Sequence, residues 1–379
     1  MATYSMITGN EQLAQVCEGL QHEAELAVDL EADSLHHYRE KVCLVQISNR
    51  SDTWLVDPLQ VNDFSPLAVL LERPSLLTVF HGGDYDVRSL HRDFGISVAT
   101  MYDTMIAAQF VGINDFGLAA LLRGHFNIEL DKRFQKADWS KRPLTPEMAD
   151  YAADDTAHLL GLADQLRQRV QEAGRTEWVA EECALIAGNR MADKGDGPLF
   201  QHCKGVGRLQ RRNLAVLEEL LQFRDGQARE LDRPPFKVIP ADSLIQIAER
   251  IPASVQEMST IVGLTSRLLD RYGNQLLAAV KRGAAVPAQQ LPRIIRSKGE
   301  PNPGIKARVA LLKQWRERQS RELALSTGVV APNWLLERIA EQQPETFAEL
   351  AAVPGIRRWQ TVQWGDAVLT LVRDNRSAV

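Results

Sequence analysis

The sequence predicts an α/β domain, a mixed sheet flanked by helices, followed by two all-α bundles. Three observations carry this. Apolar runs of strand length and segments of helical spacing share the first half, the strand signal stops near residue 195, and the rest repeats itself at a fixed offset.

LAVDLEA (26–32), VCLVQIS (42–48), TWLVD (53–57) and LLTVFHG (76–82) are rich in Val, Leu and Ile and bounded by polar or turn residues, so they read as strands. The first three follow too closely for a crossover helix, which predicts an antiparallel meander. Asp103 to Phe110, Gly117 to Arg123 and Pro146 to about Val170 have helical spacing. GDGP (195–198) and KGVGR (204–208) mark a linker. Beyond it, helices are interrupted by RPP (233–235), VIPADS (238–243) and VPAQQLPR (286–293).

A shift of 92 positions pairs Arg224 with Arg316, Pro240 with Pro332, Leu244 with Leu336, Pro252 with Pro344, Gly263 with Gly355 and Gly273 with Gly365, without a gap. Helix starts and stops therefore recur, as a duplicated helical module requires. The expected division is 1–200, 207–287 and 300–379.

With 379 residues, 45% hydrophobic and 25% charged, the chain can bury sizeable cores, and wholesale disorder is excluded. No apolar run approaches the roughly 18 residues of a membrane span. The start, MATYSMITGNEQLAQ, lacks the features of a secretory signal. Four scattered cysteines (Cys17, Cys43, Cys183, Cys203) suit a reducing cytoplasm, not a disulfide framework. The net charge of −5 hides a split: −14 over residues 1–200 and +9 over 201–379. An acidic front suits cations and a basic back suits a polyanion. Lys204, Arg208, Arg211, Arg212, Arg224, Arg229, Arg316, Arg318 and Arg321 are candidate phosphate contacts or solvated side chains.

Asp29 and Glu31 lie two apart on a strand, so both carboxylates share one face. Side by side in an apolar strand they repel and resist burial, a conflict that a divalent cation resolves. An edge strand with a solvated acidic face is the alternative. In VFHGGDYDVRSL (79–90) a strand ends at a Gly-Gly turn and a helix starts near Asp84. Asp86 then falls in the first turn, Asp84 competes as a candidate or serves as a cap, and His81 either packs or orients a ligand. Tyr151 and Asp155 are four apart on one helical face. Together Asp29, Glu31, Asp86 and Asp155 offer oxygen donors for two hard cations, Mg²⁺ or Mn²⁺, and such a pair suits displacement at phosphorus. Tyr151, neutral at pH 7, fits a role in positioning the attacking water.

Asp29-x-Glu31, His81-x-x-x-x-Asp86 and Tyr151-x-x-x-Asp155, in this order, resemble the three exonuclease motifs of the DEDD superfamily, in its tyrosine subclass. CLVQIS (43–48), YDT (102–104), FGLAALL (116–122) and DWSKRPL (138–144) resemble segments between those motifs in the exoribonuclease branch, and the duplicated module resembles two HRDC domains. Leu30 stands where members often carry a small or hydroxylated residue. The resemblance implies a ribonuclease-H-like exonuclease fold, hydrolytic 3′→5′ trimming of RNA, including tRNA precursors and other structured RNAs with 3′ extensions, and release of 5′-mononucleotides. It implies that Asp29, Glu31, Asp86 and Asp155 ligate metal and that Tyr151 orients the water. A cytoplasmic monomer with no membrane partner is expected. A DNA-directed proofreading-type exonuclease and a non-catalytic RNA-binding protein on the same scaffold are the alternatives.

Overall fold

In the computed structural model, which describes residues 3–190, 197–293 and 303–374, six strands form one mixed sheet. They are β1 (Tyr4–Ile7), β2 (Glu25–Ala32), β3 (Val42–Ser48), β4 (Thr53–Val56), β5 (Leu77–Phe80) and β6 (Met101–Asp103), in the order β1-β4-β3-β2-β5-β6. β2, β3 and β4 are the expected antiparallel meander. Parallel pairs add β1 to β4, β5 to β2 and β6 to β5. β3 is buried along its whole length, as a central strand covered on both faces must be.

The two strands beyond the expected four are short. β6 has three residues and passes directly into the Thr104–Phe110 helix, whose N-cap is Asp103. Asp103 is therefore the last strand residue and not the first of a helix. The helix expected from Pro146 to about Val170 is two, Pro146–Ala157 and Leu159–Glu172, separated at His158. The helices Asn10–Gly19, Ser65–Leu71, Asp84–Phe94, Leu118–Phe126 and Thr176–Ala187 complete this half.

Among the described residues after Arg208, every element is helical or a short 3₁₀ turn. The repeat is exact in structure at the level of element starts. Helices beginning at Arg211, Pro235, Ala241, Val255 and Ser266 recur at Pro303, Thr327, Asn333, Phe347 and Arg358, each 92 residues on. Backbone details recur too: left-handed Asp232, Ile251 and Gly263 match Ala324, Gln343 and Gly355, and the N-cap Ser254 matches Thr346. Gly273 and Gly365 are both required by packing, because a Cβ there would meet Val255 and Phe347, themselves equivalent positions, at 2.7 and 2.3 Å. Residues 195, 196 and 294–302, which include part of the expected linker and the expected boundary at 300, lie outside the described residues.

The chain divides into two compact units. One comprises Met1–Ala32, Val42–Met191 and Glu300–Val379, and the other comprises Asp33–Lys41 and Ala192–Gly299. In the first unit, the second helical module packs on the Thr176–Ala187 helix through Trp359 and Trp364. Glu181 accepts hydrogen bonds from the Arg358 and Trp359 N–H groups at 2.7 and 2.9 Å, satisfying free donors at a helix start. In the second unit, the β2–β3 connection docks on the first module: the Tyr38 hydroxyl donates to Asp225 at 2.8 Å, and His37 Nδ1 lies 2.7 Å from Asp232.

Candidate active site

β2 sets the first two acids. Val28 and Leu30 turn into the core, while Asp29 and Glu31 occupy the opposite face and remain half-buried. Leu30 therefore stands on the far face of the sheet from the acids. Asp29 pairs in register with Gln46 and Glu31 with Leu44, and a register shift follows between Glu31 and Ala32. The Pro146–Ala157 helix lies against this face, tied down by the buried Ser48–Thr156 hydroxyl bond of 2.7 Å. That docking brings Tyr151 and Asp155, on one side of the helix, to the two strand acids.

The third acid is placed by a turn that the sequence demands. Gly82 is left-handed at φ 74°, and a Cβ on Gly83 would lie 2.6 Å from Phe80 Cβ. Asp103 pins this turn by accepting from the Gly82 and Gly83 N–H groups at 3.0 and 2.9 Å. The same carboxylate caps the next helix, accepting from Met105 and Ile106 at 2.8 and 3.2 Å. The Asp84–Phe94 helix then starts where Asp86 falls in its first turn, buried.

The four acids sense one another. Burial raises the Asp29 carboxyl to about 7. Burial and then the charges of Asp29, Asp155 and Asp86 hold Glu31 well above the carboxylate range. Asp86 is raised by burial and by Asp29 and Asp103, and Asp155 by burial and Asp29, opposed by a hydrogen bond from Tyr151. Burial and the charges of Asp155, Glu31 and Asp29 push the Tyr151 phenol up, so it stays protonated and donates. Like charges gathered where burial already disfavours them are stabilised by a cation. The donor set is all carboxylate oxygen, which fits a hard divalent ion. Among the described residues, no three or more His, Cys, Asp or Glu side chains are gathered closely enough to hold a metal ion as they stand; the four acids are electrostatic neighbours.

Two candidates fall outside this group. Asp84 accepts from Arg88 and Asn189 at 2.7 Å each. His81 lies 2.9 Å from the Thr104 hydroxyl, and burial lowers its pKa. Sequence reasoning gave no role to Asp103, although a D-T pair at a helix start is a cap signal. It also missed the support of Tyr151, whose ring packs between Phe134 and Trp139, both 6.0 Å away. Arg142 anchors that loop by donating to both oxygens of buried Asp57 at 2.7 Å. Several candidate phosphate-contacting arginines brace the modules instead. Arg224 and Arg316 donate to the equivalent carbonyls of Ile239 and Ala331, and Arg212 donates to Ala284 and Val286.

The exonuclease half matches a protein family described as 3′-5′ exonuclease over residues 4–171, and the HRDC domain family matches residues 213–280 and 306–372. The sheet, these domains and their relatives define a hydrolase, a 3′-5′ exoribonuclease. Ribonuclease D of Gluconacetobacter diazotrophicus is 30% identical over 375 residues, covering 98% of this chain and 93% of its own. Ribonuclease D of Escherichia coli is 30% identical over 291 residues, covering 76% and 77%. The crystal structure of Escherichia coli RNase D, an exoribonuclease involved in structured RNA processing, superposes with a TM-score of 0.77 at 26% identity, covering 98% and 99%. The chain belongs to the ribonuclease D family.

Proposed function

We propose that this chain trims RNA from the 3′ end by two-metal hydrolysis, with Asp29, Glu31, Asp86 and Asp155 holding the ions and Tyr151 positioning the attacking water. The observation that carries this is the mutual electrostatic coupling of the four acids together with the Tyr151–Asp155 hydrogen bond. When bound, Mg²⁺ or Mn²⁺ supplies water activation and charge neutralisation at the phosphodiester. The water oxygen joins phosphorus, the bond to the 3′ oxygen breaks, and a proton ends on that leaving oxygen, releasing a 5′-mononucleotide. Tyr151 keeps its proton and hydrogen-bonds; its raised pKa argues against service as a base.

The substrates of this reading are tRNA precursors and other structured RNAs with 3′ extensions, supported by the relative described as involved in structured RNA processing. The domains are an exonuclease domain at 1–200 and HRDC domains at 207–287 and 300–379. The protein acts as a cytoplasmic monomer. Its four cysteines are free, which suits a reducing compartment, and no helix among the described residues is long and apolar enough to cross a membrane.

The test uses full-length protein, a 5′-labelled RNA with a single-stranded 3′ extension, and DNA of the same sequence. With Mn²⁺, a ladder shortening from the 3′ end of the RNA and free mononucleotides are expected, both lost on chelation. No mononucleotide release, or faster trimming of the DNA, overturns the reading.

A further inference from the structure

Gln46 is fully buried, and neither its carboxamide oxygen nor its nitrogen has a hydrogen-bond partner among the described residues. Leaving such a group unpaired typically costs about 1–3 kcal/mol, so a buried amide without a partner calls for an explanation. Its position supplies one. Gln46 on β3 stands directly opposite Asp29 on β2, and opposite Leu55 on β4. Directly paired residues share a sheet face with Cβ atoms about 4.5–5.5 Å apart, which makes the Gln46 and Asp29 side chains neighbours on the face that the Pro146–Ala157 helix covers. On this face the strand neighbours of Asp29 include no other free side-chain donor: Ala27 and Leu44 are apolar, Glu31 is a second acid, and Ser48 is bonded to Thr53 and Thr156.

We propose that Gln46 is a positioning residue for Asp29: when a divalent ion is bound, the Gln46 amide N–H, unpaired in this structure, donates to the Asp29 carboxylate and fixes the rotamer in which that carboxylate holds the ion. This rests on the two-metal reading above. The carboxamide is suited to the task because it donates without adding charge beside the acids. A Lys or Arg would instead form an ion pair with Asp29 and compete with the metal. Groups that orient metal ligands in this way typically change metal affinity by about 10–100-fold when removed.

The test is Mn²⁺ binding to full-length protein by calorimetry without RNA, paired with thermal unfolding. Gln46→Met keeps the length of the side chain and removes the amide. Its melting temperature without metal should equal or exceed that of the wild type, because an unpaired buried amide is gone, while its Mn²⁺ affinity should fall about tenfold or more. Gln46→Asn, which withdraws the amide by one methylene, should show an intermediate loss and keeps the test informative if the Met variant fails to fold. Folded variants that bind Mn²⁺ within twofold of the wild type overturn the assignment. A wild-type protein that binds no Mn²⁺ overturns the two-metal reading itself, and Asp29→Asn, expected to abolish binding, tells the two failures apart.

Discussion

Trp359 stacks on Trp178, ring centroids 4.6 Å apart and planes inclined by 20°. Trp359 lies in the first turn of the last helix of the second helical module, and Trp178 lies in the Thr176–Ala187 helix of the exonuclease half. Trp364 meets both rings edge-on, Phe110 adds a further edge, and Trp359 Nε1 donates to Glu182 at 3.1 Å. The aromatic rings are thus a core shared by two parts of the chain and not a platform for bases. Trp359→Ala should cost about 3–5 kcal/mol of stability, read as a lower urea midpoint. A midpoint unchanged from the wild type would mean that the two parts unfold independently.

Asp155→Ala should reduce turnover by about a thousandfold or more while leaving RNA affinity within a fewfold. It removes a proposed metal ligand, worth several kcal/mol at the transition state, and touches no basic side chain. Single-turnover rates and filter binding on the same RNA separate the two effects. A variant of near-normal rate contradicts the ligand assignment.

Tyr151→Phe should slow the chemical step by about tenfold, the equivalent of one hydrogen bond of roughly 1–1.5 kcal/mol. The ring stays packed between Phe134 and Trp139, so the fold should not change. A loss as large as that of Asp155→Ala would require a larger role for the phenol.

In the absence of metal, stability should decline as pH rises. The folded state holds Asp29 up at about 7 and Glu31, Asp86 and Asp155 well above their ordinary values. The native protein therefore binds more protons than the unfolded chain above about pH 4, and the slope of unfolding free energy against pH is negative. The contribution is complete below the ordinary carboxylate range, and the part due to Asp29 is lost as pH rises through about 7. Urea midpoints in chelator from pH 5 to 8 should fall more steeply for the wild type than for Asp29→Asn. Equal slopes would show that Asp29 titrates normally.

Arg142→Met should destabilise the fold by about 3 kcal/mol, because it leaves Asp57 buried without its cation. Burial tends to raise the Asp57 carboxyl, but the bonds from Arg142, Gln60 and Leu59 prevail and hold it below its usual value. This part of the wild-type stability is present above the ordinary Asp range and is lost as pH falls through the lower folded value. An acid limb retained unchanged in the variant would show that other carboxylates carry it.

The acids were legible because each motif obeys a local rule. Alternation puts Asp29 and Glu31 on one face of β2, a Gly-Gly turn puts Asp86 in a first helical turn, and a spacing of four aligns Tyr151 with Asp155. The helical duplication was legible because prolines and glycines mark the same starts and stops twice. What escaped depends on tertiary partners. β1 and β6 are too short for a pattern to declare itself, and each exists because it pairs in parallel with a strand distant in sequence. Trp359 could be read as a packing residue, but nothing local names Trp178 as its partner. Asp103 and Gln46 looked ordinary in sequence; their importance comes from the turn one holds and the acid the other faces.

The Asp33–Lys41 connection has a practical corollary. It is inserted between two strands of the sheet, yet its Tyr38 and His37 bond to Asp225 and Asp232 within the unit of the first helical module. A single cut near residue 200 would strand this segment without its anchors, only two positions after Glu31. Minimal enzymes made by trimming the gene from its 3′ end should therefore be compared with versions in which that connector is shortened or repolarised. A poor yield from the simple truncation would then report the loss of these anchors together with that of the Trp359–Trp178 core, rather than a weak catalyst.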